Sequence, residues 1–326
     1  MSSSRFQKTR SERVKKFLIT FWETQENSCY KKTLDDKILR YYRKQIKSKS
    51  QEENSQFLDL LVQYAEIYEK IININNNREW WEQNWSIEMF KVVRDIFLLD
   101  HQELTSLILA THFRFKENKV EEKLILSKEL NKLVLYLFRA IIRKIEHESE
   151  LIKIRRDTLQ MISEGRLYLY GQEKYPSNLI IQEFQTGSES FFQALQEYKS
   201  KRNREQGIEK FILLTYYQKK IKEKGLKMDL ISYEIKLLVS QNLELEEVGE
   251  NKNSLGNLIL MRAKEDFSLF PWNKKRLIYK QMGEGCLMNF EEDKNWTETE
   301  NMFDLIAERK KYLIQDFRKL RIFEID

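Results

Sequence analysis

Few residues in this chain could do acid–base, nucleophilic or metal chemistry, and those few are scattered. The three histidines, His101, His112 and His147, fall on separate helical segments, and no histidine lies C-terminal of His147. No HExxH spacing sets two of them on one helix face, and lone helical histidines are more often packed or surface residues than ligands. The two cysteines, Cys29 and Cys286, lie far apart and form no CxxC pair. That excludes a structural zinc site built on cysteine pairs and suggests a reducing, cytosolic compartment. No Walker motif, GxGxxG or GxSxG occurs, so nucleotide hydrolysis and serine-hydrolase chemistry lack their phosphate cradle and their nucleophile turn. Carboxylates cluster at Glu244, Glu246 and Glu247 and again at Glu291, Glu292 and Asp293. Such groups can hold Mg2+, but acids grouped on loops are usually just solvated.

The elements that would position these residues are mainly helices. Nine glycines and two prolines are very few for 326 residues, and both residue types are needed where a backbone turns tightly or leaves helical geometry. Apolar residues recur at helical spacing from Phe57 to Ile72, a run stopped by the polar Asn73 to Asn77. The same spacing predicts helices over 87–99, 102–115 and 119–148, the last continued over 151–163 after a bend. The pattern breaks between Gly165 and Gly187, where Pro176 and three tyrosines fall, and helices resume over 188–199 and 206–224. From Ile231 to Val239 the texture is β-like, and Leu258 to Met261 is a second short apolar run. Helices return over 274–281 and 298–320. The domain organisation read from this is a helical domain over 1–165, an irregular connection over 166–205, and a hairpin with flanking helices over 206–326. No repeat is present. The N-terminus has no apolar core of a secretory signal, and no apolar run approaches the roughly 18–20 residues of a membrane helix.

Charge is unevenly spread. The net charge is +6, yet residues 1–50 alone hold 14 Lys/Arg against 5 Asp/Glu, so the remainder is slightly acidic. A basic segment with Tyr30, Tyr41 and Tyr42 in it could track a phosphate backbone while rings touch bases or sugars. An ordinary solvated helix face reads the same way. Lys199-Ser200-Lys201-Arg202-Asn203-Arg204, just ahead of a helix, is a second basic stretch open to both readings.

The stretch Asn253-Ser254-Leu255-Gly256-Asn257-Leu258-Ile259-Leu260-Met261 is, taken alone, a turn into a buried strand. With its flanks it resembles the C-terminal nuclease region of the GmrSD-type modification-dependent restriction endonucleases over residues 208–320. That family has a helix of the form Ile-x-x-Ile-Leu, then a strand reading roughly aromatic-x-Ile-Glu-His-Ile-x-Pro-Gln. A loop Asn leads into Leu-Gly-Asn-Leu-x-Leu-Leu, followed by an Asn-containing helical segment, a Trp, and Ile-x-x-Arg-x-x-x-Leu. This chain offers Ile208 to Leu214, Tyr233 to Gln241, Asn253 to Met261, Asn273 to Tyr279, Trp296, and Ile306 to Leu313 with Arg309 in place. The resemblance implies a small ββα, HNH-like module in an otherwise mainly α, multi-helix bundle. In such a module a histidine on the first strand deprotonates water, while the second strand and helix hold one divalent metal on the scissile phosphate.

The departures from that pattern shape the functional expectation. The family's Glu-His pair falls at Lys236 and Leu237, and its Pro at Ser240, whereas Gln241, Asn253, Gly256 and Asn257 match. The distal Asn falls in residues 264–270, where Asp266 is the one oxygen ligand of the right kind. A leucine accepts no proton, and a charged lysine ligates no cation. The family's N-terminal nucleotide-hydrolysing module, with Asp-Gly-Gln-Gln-Arg, has no counterpart in the sequence. The resemblance therefore implies a pseudo-nuclease: no catalysis, no cofactor (Mg2+ only if cleavage survives through Asp266 and Asn257), and retained nucleic-acid binding. Such a protein would be cytoplasmic, without a membrane partner, and a subunit beside another protein in a prokaryotic defence or mobile-element complex. The residues expected to touch nucleic acid are Lys236, Lys199, Lys201, Arg202, Arg204, Lys31, Lys32, Arg40, Arg43 and Lys44. The alternative is a helical protein–protein adaptor offering Trp80, Trp81 and Trp85 as aromatic anchors, although core packing is the commoner fate of such rings.

Overall fold

The computed structural model describes residues 2–29, 35–47, 49–115, 120–165, 187–199, 207–226, 228, 230, 232–238, 254–262, 267, 270–282, 286–291 and 302–324. Among these, the chain is mainly helical, with one two-stranded sheet. It divides into two compact units, Met1–Phe97, His101–Leu133 and Glu146–Asn178 in the first, Leu98–Asp100, Val134–Ile145 and Leu179–Asp326 in the second.

The first unit is built from α1 (Ser2–Glu26), α2 (Asp35–Lys47), α3 (Gln51–Ile72), α4 (Arg78–Asn84), α5 (Ile87–Leu98), α6 (Thr105–Arg114), the first part of α7 (Val120–Arg143) and α8 (Glu148–Ser163). Helix α3 starts where Ser50 and Glu53 form a reciprocal capping box and stops at Asn73, so the Asn-rich run ends it as the sequence predicts. Helix α6 packs against α1, α3 and α8. Every residue from Thr105 to Thr111 is buried, as befits a helix surrounded by others. Its hydroxyls are satisfied locally: Thr105, Ser106 and Thr111 donate to the carbonyls of Gln102, Glu103 and Leu107. Around it lies an aromatic core in which Tyr64 stacks flat on Phe113 with ring centroids 3.6 Å apart. Phe21 makes edge contacts with Phe57 and Tyr64. A buried ion pair joins two helices of this unit: Arg155 of α8 donates to both carboxylate oxygens of Glu23 on α1, at 2.6 and 2.7 Å.

The second unit holds the rest of α7 with α9 (Ser188–Glu197), α10 (Gly207–Glu223), β1 (Tyr233–Leu237), β2 (Leu258–Arg262), α11 (Trp272–Gln281) and α12 (Met302–Lys319). Phe138, Phe191, Phe211, Phe317 and Phe323 share one ring cluster. The two strands are antiparallel, with register Tyr233↔Arg262 through Leu237↔Leu258. Strand β2 is buried from Leu258 to Met261, which is why it reads as a continuous apolar run rather than an alternating one. Both strands, and the helices expected from periodicity among the described residues, occur within a few residues of their predicted limits. The irregular connection predicted around Pro176 lies outside the described residues.

Candidate nucleic-acid interface

Two surfaces carry the residues that the sequence singles out, and each belongs to one unit. The first is the outer face of α2. Ile38 is buried, and Tyr41 and Tyr42 are half-buried on the inner side. The outer side exposes Lys37, Arg40, Arg43, Lys44 and Lys47, with Asp36 exposed beside them. Lys37, Arg40, Lys44 and Lys47 recur at steps of three and four, which places them in one stripe along the helix. Among the described residues, Arg40, Arg43 and Lys47 make no ion pair. The tyrosines do not serve this face as expected from the sequence. Tyr42 donates its hydroxyl to the Leu18 carbonyl at 2.7 Å and its ring lies against Phe21, because α2 needs an apolar side to dock on α1. Burial also pushes the Tyr41 hydroxyl up to about 12. Lys31, Lys32 and Tyr30 lie outside the described residues.

The second surface is the hairpin. At its turn Ser254 accepts from the Gly256 amide, and Leu255–Asn257 forms a single 3-10 turn. Asn257 is fully buried, and its carbonyl accepts from the Leu238 amide at 2.9 Å. A β-carbon on Gly256 would stand 2.0 Å from the carbonyl oxygen of Ile306 on α12. The glycine is therefore required by a helix backbone lying on the turn, whatever else the motif does. Gly256→Ala should cost about 1–3 kcal/mol or more by forcing α12 away. Urea denaturation checks it, and a midpoint equal to wild type would show that the turn yields freely.

Arg309 locks this arrangement. It is fully buried on α12, one face-turn from Ile306 and Leu313, and donates to the carbonyls of Gly256 and Leu258 at 2.9 and 2.7 Å. The same guanidinium pairs with Glu291 at 2.7 Å. Tyr217 of α10 closes the network, donating to Glu291 Oε1 and accepting from Arg309. Burial, with the Glu291 charge beside it, holds the Tyr217 hydroxyl far above its ordinary range, so it stays protonated. Glu291 was a candidate Mg2+ ligand by sequence; the structure corrects that, because its oxygens are committed to Arg309 and Tyr217. Lys275 of α11, also buried, donates to the Leu238 carbonyl at 3.0 Å and so pins the end of β1. Sequence reasoning missed the anchoring role of Arg309, Glu291, Tyr217 and Lys275. One signal was legible: Arg309 shares the apolar stripe of Ile306 and Leu313 at steps of three and four.

The remaining predicted residues fall as follows. Lys236 is partly exposed on β1 and pairs with Glu234 of the same strand at 3.3 Å; Leu237 beside it is half-buried. Lys199 is exposed just past α9. Burial, reinforced by the charge of Lys199, lowers the pKa of Lys310 on α12, so the structure brings these two cations within electrostatic reach. Asn253, Asp266, Trp296, Lys201, Arg202, Arg204, the Glu244–Glu247 acids, Glu292 and Asp293 lie outside the described residues. Trp81 is fully buried, whereas Trp80 and Trp85 are half-buried and pack around His112. Among the described residues no three His, Cys, Asp or Glu side chains converge as a metal site, and no helix is long and apolar enough to cross a membrane. Compared with family models, with curated proteins and with solved structures, the chain matches none of them.

Proposed function

We propose that this chain binds nucleic acid without cutting it, as a pseudo-nuclease of the HNH-like kind. The observation that carries the reading is the stripe of exposed cations Lys37, Arg40, Lys44 and Lys47 on α2, with Arg43 exposed beside it. From Lys37 to Lys47 the helix advances about 15 Å, enough to face about four phosphates of one duplex strand. Lys236, standing where the resemblance calls for the glutamate of the Glu-His pair, supplies positive charge beside Leu237, which takes the place of the general base. Loss of that base leaves phosphate binding intact because binding needs only cations and shape.

The test is a salt-dependent titration of the full chain against labelled single- and double-stranded DNA and RNA. Log affinity should fall linearly with log salt. Arg40→Glu and Lys47→Glu, both at exposed positions that leave the fold alone, should each weaken binding to every sequence and flatten the slope by about one phosphate contact. Lys236→Glu asks the same of the hairpin. Absence of binding at low salt would sink the proposal.

A second reading, a protein–protein adaptor, draws on Leu58 and Val62, exposed one turn apart on α3 at 57% and 55%. A partner helix could cover such a pair. A monodisperse monomer whose behaviour is indifferent to Leu58→Asp counts against it.

A further inference from the structure

Four aliphatic side chains stand exposed on the neighbouring helices α2 and α3, and the charges around them are of opposite sign. On α2, Leu39 and Ile46 are 52% and 53% exposed. Arg43, also exposed, lies between them at steps of four and three, so the three form one flank of the helix. On α3, Leu58 and Val62 are more than half exposed and four residues apart. The exposed acids Asp59 and Glu66 stand one turn to either side of Val62, and Glu69 follows in line with it. Among the described residues, Arg43, Asp59, Glu66 and Glu69 make no side-chain ion pair. Taken whole, α2 carries five Lys/Arg against two Asp, and α3 five Asp/Glu against one Lys. Single exposed aliphatics are ordinary, whereas pairs aligned on one flank and rimmed by charge have the make-up of an interface. Within one chain the two flanks do not cover each other. The helices meet through inner rings, Tyr42 and Phe57, with centroids 6.4 Å apart, while all four aliphatics stay exposed.

We propose that the α2 flank of one copy docks on the α3 flank of a second copy of this chain. Leu39 and Ile46 pack against Leu58 and Val62, and Arg43 pairs with Asp59 or Glu66. The spacing suits this. Seven residues, about 10 Å of helix, separate Leu39 from Ile46 and likewise Asp59 from Glu66. With the helices side by side, Arg43 falls between the two acids while the aliphatic pairs overlap. A basic flank and an acidic flank on every copy make the chain itself the occupant that fits, because opposite potentials select the partner. A contact between unlike faces either closes into a symmetric pair or ring, or continues head to tail. The phosphate-facing stripe stays open, since Arg40 and Lys47 each follow a flank residue by one position, about 100° round the helix. The inference rests on α3 presenting a docking face, as in the adaptor reading, and names its occupant. It does not depend on nucleic-acid binding.

Sedimentation velocity of the full chain, without nucleic acid, tests this from low micromolar to several hundred micromolar protein. Self-association that rises with concentration and weakens with salt is expected. Arg43→Glu should weaken it about tenfold or more, and so should Asp59→Arg combined with Glu66→Arg, because each sets like charges against one another. Neither variant associates with itself, yet a mixture of the two should associate as wild type does, since every contact between unlike copies again joins opposite charges. All three positions are exposed, so unchanged circular dichroism should accompany these effects. A monomer at every concentration overturns the proposal and leaves the α3 face to a different protein, a separate question that Leu58→Asp answers for the adaptor reading. Self-association indifferent to the charge reversals, or not recovered in the mixture, also overturns it.

Discussion

Arg309→Met is expected to destabilise the second unit by about 3–5 kcal/mol, the range for removing one partner of a buried ion pair. The charge removed is fully buried, and so is the carboxylate left behind on Glu291. An uncompensated charge in an apolar interior costs far more than the net worth of the pair, because neither water nor a counter-ion reaches it. Two further losses add to this. The carbonyls of Gly256 and Leu258 lose their donor, and the Tyr217 hydroxyl loses one partner of two. The discriminating companion is the double variant Arg309→Met with Glu291→Met. With both charges gone it should recover a substantial part of the loss, since well-packed apolar pairs often replace buried ion pairs at little cost. Chemical denaturation measures both. A shift below about 1 kcal/mol for the single variant would mean that packing, not the network, holds the hairpin against α12.

The same physics predicts a comparable loss in the first unit for Arg155→Met. Side-chain exposures of 5% and 3% leave Arg155 and Glu23 almost without solvent, so about 3–5 kcal/mol is again expected. Here an independent readout exists. Cys29 is buried nearby, and burial pushes its thiol up to about 11 although Arg155 pulls it back. As little thiolate is present at neutral pH, the native cysteine should react slowly with disulfide reagents. In Arg155→Met, looser packing of α1 on α8 should raise the Cys29 labelling rate, measured in a Cys286→Ser background so that one thiol reports. Unchanged labelling together with unchanged denaturation would show that Glu23 finds another partner.

Comparison of the residues with their placement shows where sequence reading succeeds. Helix α3 was legible because Phe57, Tyr64, Tyr68 and Ile71 repeat at helical spacing and Asn73 ends the run. Strand β2 was legible from its continuous apolar run. Helices α1 and α2 are less so, since dense charge obscures the periodicity of an apolar side carrying Phe17, Phe21, Trp22 and Ile38. At the hairpin the motif Leu255-Gly256-Asn257 could be located but not explained. Its glycine answers to the carbonyl of Ile306, a residue on a distant element.

By itself, then, the sequence determined that the chain is mainly helical, roughly where most elements downstream of α2 lie, that positive charge gathers in the first 50 residues, and that no imidazole is available downstream of His147. These are local properties, set by steps of three and four along a helix or by composition, and they need no knowledge of what packs where. Only the tertiary structure decided that Glu291 is the counter-ion of Arg309 rather than a solvated loop acid, that Arg155 meets Glu23, and that His101 meets His147. Such pairings join residues far apart in the chain. Their partners are selected by how helices close over one another, and a charged side chain looks the same in sequence whether it ends in water or in the core.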